Sequence, residues 1–140
     1  MENYNFIKNK IMNLILKSGA ADISDAAGTD QYLVDAPFAG KIQVDACHVV
    51  WTEATGSQTS TVGTLLLKVG GNTVGTLTAS QSGAIGDTSK FVVDGTYATA
   101  ACPFVEFAAG DDILVEIGTQ ATGGTVTGDG DLVLCVEYGV

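Results

Sequence analysis

Residues 64–74 read Thr-Leu-Leu-Leu-Lys-Val-Gly-Gly-Asn-Thr-Val, and this stretch decides the fold class of the 140-residue chain. Leu65, Leu67 and Val69 recur at every second position, which is the period of a strand covered on one face. The two glycines and the asparagine that follow accept positive φ at little cost, so they predict a hairpin turn. A second run of β-type residues begins at Thr73. The stretch therefore predicts two antiparallel strands joined by a short turn.

The same pattern of short β-type runs, separated by Gly, Asn, Asp, Ser and Thr, extends from Gln31 toward the end of the chain. One of these runs alternates over nine residues and places on one face Ile42, Val44, Ala46, His48 and Val50. The predicted strands are Gln31–Asp35, Lys41–Thr52, Thr61–Val69, Thr73–Ala79, Lys90–Val93, Ala98–Phe107, Asp112–Thr119 and Asp131–Tyr138. About eight short strands with long polar loops predict an all-β domain, a jelly-roll-like β-sandwich.

The N-terminal segment has a different pattern. Its apolar residues Ile7, Ile11, Leu14 and Ile15 recur at helical spacing, which predicts a short amphipathic helix over Tyr4–Lys17. About four turns are marginal alone in water, so we expect this helix to pack on another surface. Ser18–Asp30 is small and polar and predicts a linker or a loosely attached extended segment. The expected organisation is an N-terminal helical arm and linker over residues 1–30, followed by a sandwich over residues 31–140.

The charge distribution excludes several classes of partner. The chain has six Lys, no Arg and 16 acidic residues, and its formal net charge is −10. So acidic a chain lacks the cations that displace counterions from phosphates, and we expect no nucleic-acid partner. Anionic lipid would repel it, and no run approaches the roughly 20 apolar residues of a membrane span, so no membrane partner is expected. Residues 1–17 carry +2 and residues 18–140 carry −12, which indicates a separate role for the arm.

Candidate catalytic residues are few. His48 is the single histidine, and its neighbour Cys47 must point to the opposite face of a strand. Cys102 or Cys135 could approach His48 only through the fold. The three cysteines form no C-x-x-C pair and are odd in number, so we predict reduced, largely buried thiols in a chain made in a reducing cytoplasm. No nucleophile-elbow, zinc-protease or P-loop motif occurs. The sequence predicts neither an enzyme nor a cofactor.

Aspartates and one tryptophan remain as candidate binding residues. Asp111, Asp112, Asp129 and Asp131 could offer oxygens to a calcium ion, but the EF-hand pattern is not matched. The simpler expectation is that these aspartates close turns by hydrogen bonding to nearby backbone, and no metal site is predicted. Trp51 leaves a similar choice, between core packing at a strand end and an exposed platform that stacks on a sugar ring.

Four stretches of the predicted sandwich resemble small jelly-roll domains of tailed-bacteriophage virion proteins. Ala36–Ile42 resembles their “AP.aG.I” opening, and Leu65–Val69, followed by Gly-Gly-Asn, is similar to their “l.v..nG..v” hairpin. Phe107–Val115 resembles their “f..GD.l.v” strand, and Gly130–Glu137 is similar to their closing “..adl.v.l.” strand. The resemblance implies a structural virion protein without enzymatic residues, often a homotrimer.

The first function that we expect is that of a capsid decoration protein, also called a cement or head auxiliary protein. Its partners would be the major capsid protein and further copies of itself, on the outer surface of the virion. An acidic body suits the outside of a DNA-filled shell. The arm would contact the capsid or a neighbouring subunit through Phe6, Ile7, Lys8, Ile11, Leu14, Ile15 and Lys17. Packing of the arm on its own sandwich, or within an oligomer, is the alternative.

The second expected function is that of a glycan- or receptor-binding module on a head fibre or tail appendage. Its site would be formed by Trp51 and Tyr97 together with the loops Ala54–Ser60 and Gln120–Gly128. Size argues against this function, because a receptor-binding protein normally needs a shaft or an attachment domain besides the binding module.

Overall fold

The structure, a computed structural model, describes residues 13–56, 58–80, 83–123 and 128–139. Within these ranges the chain forms ten strands, one 3-10 turn over Val44–Ala46 and no α-helix. The strands are β1 (Asn13–Asp22), β2 (Asp30–Asp35), β3 (Gly40–Gln43), β4 (His48–Trp51), β5 (Thr64–Val69), β6 (Asn72–Thr78), β7 (Thr88–Val93), β8 (Phe104–Phe107), β9 (Asp112–Thr119) and β10 (Asp129–Tyr138).

The strands pair in the order of a jelly roll, and every pairing is antiparallel. In the first sheet, β10 pairs with β1 on one edge and with β3 and β4, lying end to end, on the other. β8 then pairs with β3, and β7 pairs with β4. The second sheet has the order β2-β9-β5-β6. With β3/β4 and β7/β8 each counted as one bent strand, eight strand positions in two sheets confirm the predicted jelly-roll-like sandwich.

β7 connects the two sheets at one side of the sandwich. Its first half, Thr88–Lys90, pairs with β4 of the first sheet, and its second half, Phe91–Val93, pairs with β6 of the second sheet. A strand that changes sheets in this way forms a corner of a sandwich. Between the two sheets lies a core of aliphatic and aromatic side chains, the largest being Trp51, Phe91, Ile42, Leu65, Leu67, Leu77, Ile113, Ile117, Leu132 and Leu134.

The predicted N-terminal helix is wrong for its last residues, because Asn13–Lys17 belong to strand β1. Asn13 pairs with Val136, and the ladder with β10 runs to Asp22, with an irregularity after Lys17. Residues 18–22 also belong to β1, so of the two alternatives for this segment the linker is wrong there and the extended segment is the one that the structure shows. A helical pattern of this length is weak when no partner for its apolar stripe is fixed. The edge of β10 instead offers backbone hydrogen bonds to every second residue of an extended segment. The remaining helix residues, 4–12, lie outside the described part of the chain.

The predicted alternation in Ile42–Val50 is wrong in its second half. Ile42 and Val44 point into the core as expected, but beyond the 3-10 turn the buried residues are Cys47, Val49 and Trp51. A 3-10 helix repeats every three residues, whereas a strand alternates every two. The turn therefore shifts the alternation of buried and outward-facing residues by one position. His48 and Val50 consequently lie on the outer face. The predicted strand Ala98–Phe107 is likewise shorter, since residues 99–102 form a turn in which the Cys102 N–H donates to the Thr99 carbonyl, 3.0 Å.

Candidate functional site

Trp51 lies in the core and not in a binding site. Its side chain is fully buried, and its indole Nε1–H donates to Ser89 Oγ at 2.9 Å. A ring enclosed in this way cannot stack on a sugar. The prediction of a glycan platform at Trp51 is therefore wrong, and the alternative prediction, core packing at a strand end, is confirmed. The reason is the phase shift at the 3-10 turn, which turns the last residue of β4 inward.

Tyr97 lies at the opposite end of the sandwich from Trp51. Its ring is half exposed, and its hydroxyl donates to Asn72 Oδ1 at 3.1 Å. The backbone N–H of Trp51 donates to the Asp87 carbonyl just before β7. The backbone N–H of Tyr97 donates to the Asp94 carboxylate just after β7. The six residues of β7 span about 20 Å between these two points. The fold thus separates the two aromatic residues of the predicted glycan site.

The two loops of that predicted site do come together. The Ser60 N–H donates to the Thr122 carbonyl at 3.1 Å, and Thr61 forms an isolated bridge with Thr122. The first loop is also held from inside, because Gln58 is buried and its amide bonds both the Ser80 carbonyl and the Gly63 N–H. Residues 57 and 124–127 lie outside the described ranges. At this end of the sandwich the two loops are therefore hydrogen-bonded to each other, and the buried Gln58 side chain stabilises the first of them.

The predicted capsid-contact residues fall into two groups. Phe6, Ile7, Lys8 and Ile11 lie outside the described residues. Leu14, Ile15 and Lys17 belong to β1, where they stand opposite Cys135, Leu134 and Leu132 of β10, and Lys17 is exposed. The backbone of these three residues forms an edge strand of the sandwich, and not an arm that leaves the domain.

The cysteines and His48 form no catalytic arrangement in the described part of the chain. Cys47 is buried, and burial raises the pKa of its thiol to about 12. Its sulfur accepts the Cys135 N–H at 3.4 Å. Burial also raises the pKa of Cys135, while Cys102 is exposed. His48 Nδ1 lies 2.9 Å from the Ala46 carbonyl, to which it donates. Raised thiol pKa values oppose the thiolate that nucleophilic chemistry requires.

The aspartates have several different roles. Asp111 Oδ2 accepts the Ala108 N–H at 2.8 Å, which confirms the predicted turn closure at this residue. Asp131 Oδ1 instead accepts the Gly19 N–H of β1 at 3.0 Å, so this carboxylate joins two strands. Burial, followed by the charges of Asp22 and Glu53, raises the pKa of Asp129. Among the described residues no group of three or more His, Cys, Asp or Glu side chains is placed to hold a metal ion.

An open groove of about 440 Å³ lies where β3 begins and β8 ends, lined by Ala39, Gly40, Glu106, Phe107, Ala108 and Asp111. Hydrogen bonds between Ala36 and the 110–111 turn, 2.7 and 2.8 Å long, bring its two walls together. At Gly40 a Cβ would collide with the carbonyl oxygen of Glu137, so glycine is needed for the close approach of β3 to β10. The exposed Phe38 continues the apolar wall through an edge-to-face contact with Tyr138, with 6.2 Å between ring centroids.

Sequence reasoning did not single out this groove as a site. Apart from Glu106, its lining residues come from Ala36–Ile42 and Phe107–Val115, two of the stretches quoted for the resemblance. Nothing in the sequence pattern of one stretch pairs it with the other. The groove places the apolar side chains of Phe107 and Ala108 beside the carboxylates of Glu106 and Asp111, of which Asp111 already accepts the Ala108 N–H.

Comparisons of the chain with protein families, with curated proteins and with solved structures found no match. In the ranges that the structure describes, no helix has the length and apolar character needed to cross a membrane.

Proposed function

We propose that this protein is a structural virion protein that decorates the outer surface of a tailed-phage head as a homo-oligomer. The observation that carries the proposal is the jelly-roll pairing order, into which the four phage-like stretches fit at defined positions. Ala36–Ile42 leads into β3, the hairpin stretch forms β5 and its turn, Phe107–Val115 leads into β9, and Gly130–Glu137 lies in β10.

The contact between two of these stretches adds support. The Ala36 N–H donates to the Asp111 carbonyl, and the Gly110 N–H donates to the Ala36 carbonyl. The “AP.aG.I” and “f..GD.l.v” patterns therefore describe one continuous corner of the fold. Each pattern alone has low specificity, but the two patterns together are more specific because they contact each other in the fold.

The charge of the chain is consistent with a position on the outside of the shell. With a net charge of −10, the protein would be repelled by packaged DNA and would remain soluble on an exterior surface. In this proposal the capsid contact falls to residues 1–12, which contain Lys8 and Lys10. Residues 13–17 belong to β1 and are needed by the sandwich.

The glycan-binding alternative has less support. It depended on Trp51, which is buried, and on Tyr97, which lies at the other end of the domain from the two loops. A receptor-binding module would then have to use the loops around Ser60 and Thr122 alone.

The proposal is tested on particles that lack the protein. Purified chain is added to such particles, and the bound copies are counted by gel densitometry and located by cryo-electron microscopy. We expect density on the outer surface in a symmetric pattern. A chain that does not bind, or density inside the shell, contradicts the proposal, and binding to host cells or to a glycan array instead favours the alternative.

Two variants locate the contact. Deletion of residues 1–12 leaves β1 intact and is expected to lower the number of bound copies severalfold. Replacement of Lys8 and Lys10 by Gln keeps the length of the chain and separates the contribution of charge from that of the segment. Unchanged binding of both variants would leave the decoration role standing and would remove the arm as the anchor.

A further inference from the structure

The groove where β3 begins and β8 ends continues into a cluster of aromatic rings. Phe107, which lines the groove, contacts Tyr138 edge to face, with 5.9 Å between ring centroids. Phe38 contacts the same tyrosine ring, with 6.2 Å between centroids. Phe38 is 66% exposed, which makes it the most exposed aromatic side chain in the described part of the chain. We name the groove, together with Phe38 and Tyr138, the aromatic groove.

The aromatic groove carries negative charge. Glu106 and Asp111 line it. Across β10, β3 and β8 the residues Glu137, Lys41 and Glu106 stand side by side, and Lys41 forms an ion pair with Glu137 at 3.6 Å. Three carboxylates and one lysine leave a formal charge of −2 at this end of the first sheet. The groove therefore attracts a cationic segment.

The chain enters the first sheet at the same end. β1 begins at Asn13, which stands opposite Val136, two residues before Tyr138 at the end of β10. Because β1 and β10 are antiparallel, the segment that precedes Asn13 leaves β1 in the direction of Tyr138. From β1 to β8 there are three strand spacings, or about 14 Å. Nine residues span about 30 Å when extended, so residues 4–12 are long enough to cross the groove.

The composition of this nine-residue segment matches the aromatic groove. Its charged residues are Lys8 and Lys10, and none of its residues is acidic. Its apolar residues include Phe6 and Ile7. Charge alone would attract the lysines to much of this acidic chain. The exposed ring of Phe38 singles out the groove, because apolar side chains that cover this ring lose contact with water.

We propose that residues 4–12 bind in the aromatic groove of their own domain. The lysines lie beside the carboxylates of Glu106 and Asp111, and an apolar side chain covers Phe38. The inference does not rest on the proposed function, because the contact forms in the free chain. A capsid that binds residues 1–12 would have to take them from the groove.

The test is limited trypsin digestion of the full chain, with cleavage after Lys8 followed by mass spectrometry. Lys8 lies five residues before β1, so the strand itself does not cover this cleavage site. A protease cuts a bound segment only while the segment is released. We expect cleavage after Lys8 to be about tenfold slower in the full chain than in a peptide of residues 1–12.

Two variants of the groove should release the segment. Phe38→Ala removes the exposed ring and should raise the rate of cleavage after Lys8 severalfold. Glu106→Gln removes one carboxylate and should raise the same rate about twofold, as expected for the loss of an exposed ion pair.

Ile85→Ala and Glu53→Gln are the matched controls. Both side chains are exposed. Their loops are hydrogen-bonded to Trp51 and Asp129, at the end of the sandwich opposite Tyr138. Both controls should be cleaved after Lys8 at the wild-type rate. Fluorescence of the buried Trp51 reports whether each variant is folded.

Each outcome decides the inference. A wild-type chain that is cleaved as fast as the peptide overturns the proposal. Protection that both groove variants leave unchanged, or that a control removes equally, also overturns it. Protection that is lost on dilution from about 100 to about 1 μM depends on a second copy through mass action, and it overturns binding within one domain. Protection that resists dilution and decreases in the groove variants supports the proposal.

Discussion

Replacement of Trp51 by Phe tests the conclusion that this ring is a core residue. The substitution removes the indole N–H, which donates to Ser89 Oγ at 2.9 Å, and leaves the hydroxyl of Ser89 without that partner. It also removes part of a fully buried ring that packs close to Gly130, where an added Cβ would lie 3.0 Å from Trp51 Cε3. Both changes lower the free energy of unfolding.

The expected loss is about 3 kcal/mol. The hydrogen bond contributes about 1 kcal/mol net. The smaller ring loses apolar area equivalent to two or three methylene groups, at about 0.8 kcal/mol each, which is about 2 kcal/mol. Domains of this size are stable by about 5–15 kcal/mol, so the Trp51→Phe variant should fold but unfold at clearly lower urea concentration.

The assay is urea unfolding followed by far-ultraviolet circular dichroism, since the variant lacks tryptophan. Ser89→Ala is the matched control, because it keeps the ring and removes only the hydrogen bond, at an expected cost of about 1 kcal/mol. In the double variant Trp51→Phe with Ser89→Ala, the two losses in the free energy of unfolding should not add, because both substitutions remove the same hydrogen bond. A Trp51→Phe variant within about 0.5 kcal/mol of the wild type, the range of ordinary surface changes, would refute the assignment of Trp51 to the core.

Two further predictions concern titratable groups. Asp112 stands opposite Asp35, and the hydrogen bond between their carboxyl groups, followed by burial and by repulsion from Asp35, raises the pKa of Asp112. Because the raised pKa disfavours the ionised form in the folded state, the wild type should gain stability as pH falls through that pKa. Asp112→Asn should therefore raise the melting temperature at pH 7. The gain should vanish as the pH falls toward 3.8, the ordinary pKa of an aspartate. Equal melting temperatures of variant and wild type at pH 7 would contradict this prediction. A thiol reagent at pH 7.5 should label the exposed Cys102 quickly, and Cys47 and Cys135 only after unfolding in urea. Rapid labelling of more than one thiol in the folded chain would show that the buried pair is accessible.

Strand periodicity alone identified most of the sandwich. The apolar side of Leu65–Val69 and the turn after it appear where the sequence places them, and Asp112–Thr119 matches its predicted bounds. Alternation succeeds in these strands because each is covered on one face, so burial repeats every second residue. No catalytic or metal pattern was predicted. The groove lies in two of the stretches quoted for the resemblance, but only the hydrogen bonds of Ala36 with Asp111 and Gly110 bring those stretches together.

The two failed predictions have different causes, one distant along the chain and one local. The segment Asn13–Lys17 has both helical spacing and strand-forming residues, and the edge of β10, more than 110 residues later, selects the strand. The inward position of Trp51 follows from a three-residue 3-10 turn, which the alternation of Ile42–Val50 does not reveal.

The sequence by itself determined the all-β class, the turn positions and the strongly acidic character, because these depend on local spacing and on a count of charges. The tertiary structure decided which segment pairs with the edge of β10, which stretches form the groove, and which aliphatic side chains lie on an outer face. Those properties depend on pairing between strands far apart in the chain. The ion pair of Lys68 with Glu116 on one outer face, and that of Lys41 with Glu137 on the other, exist only after the sheets have formed.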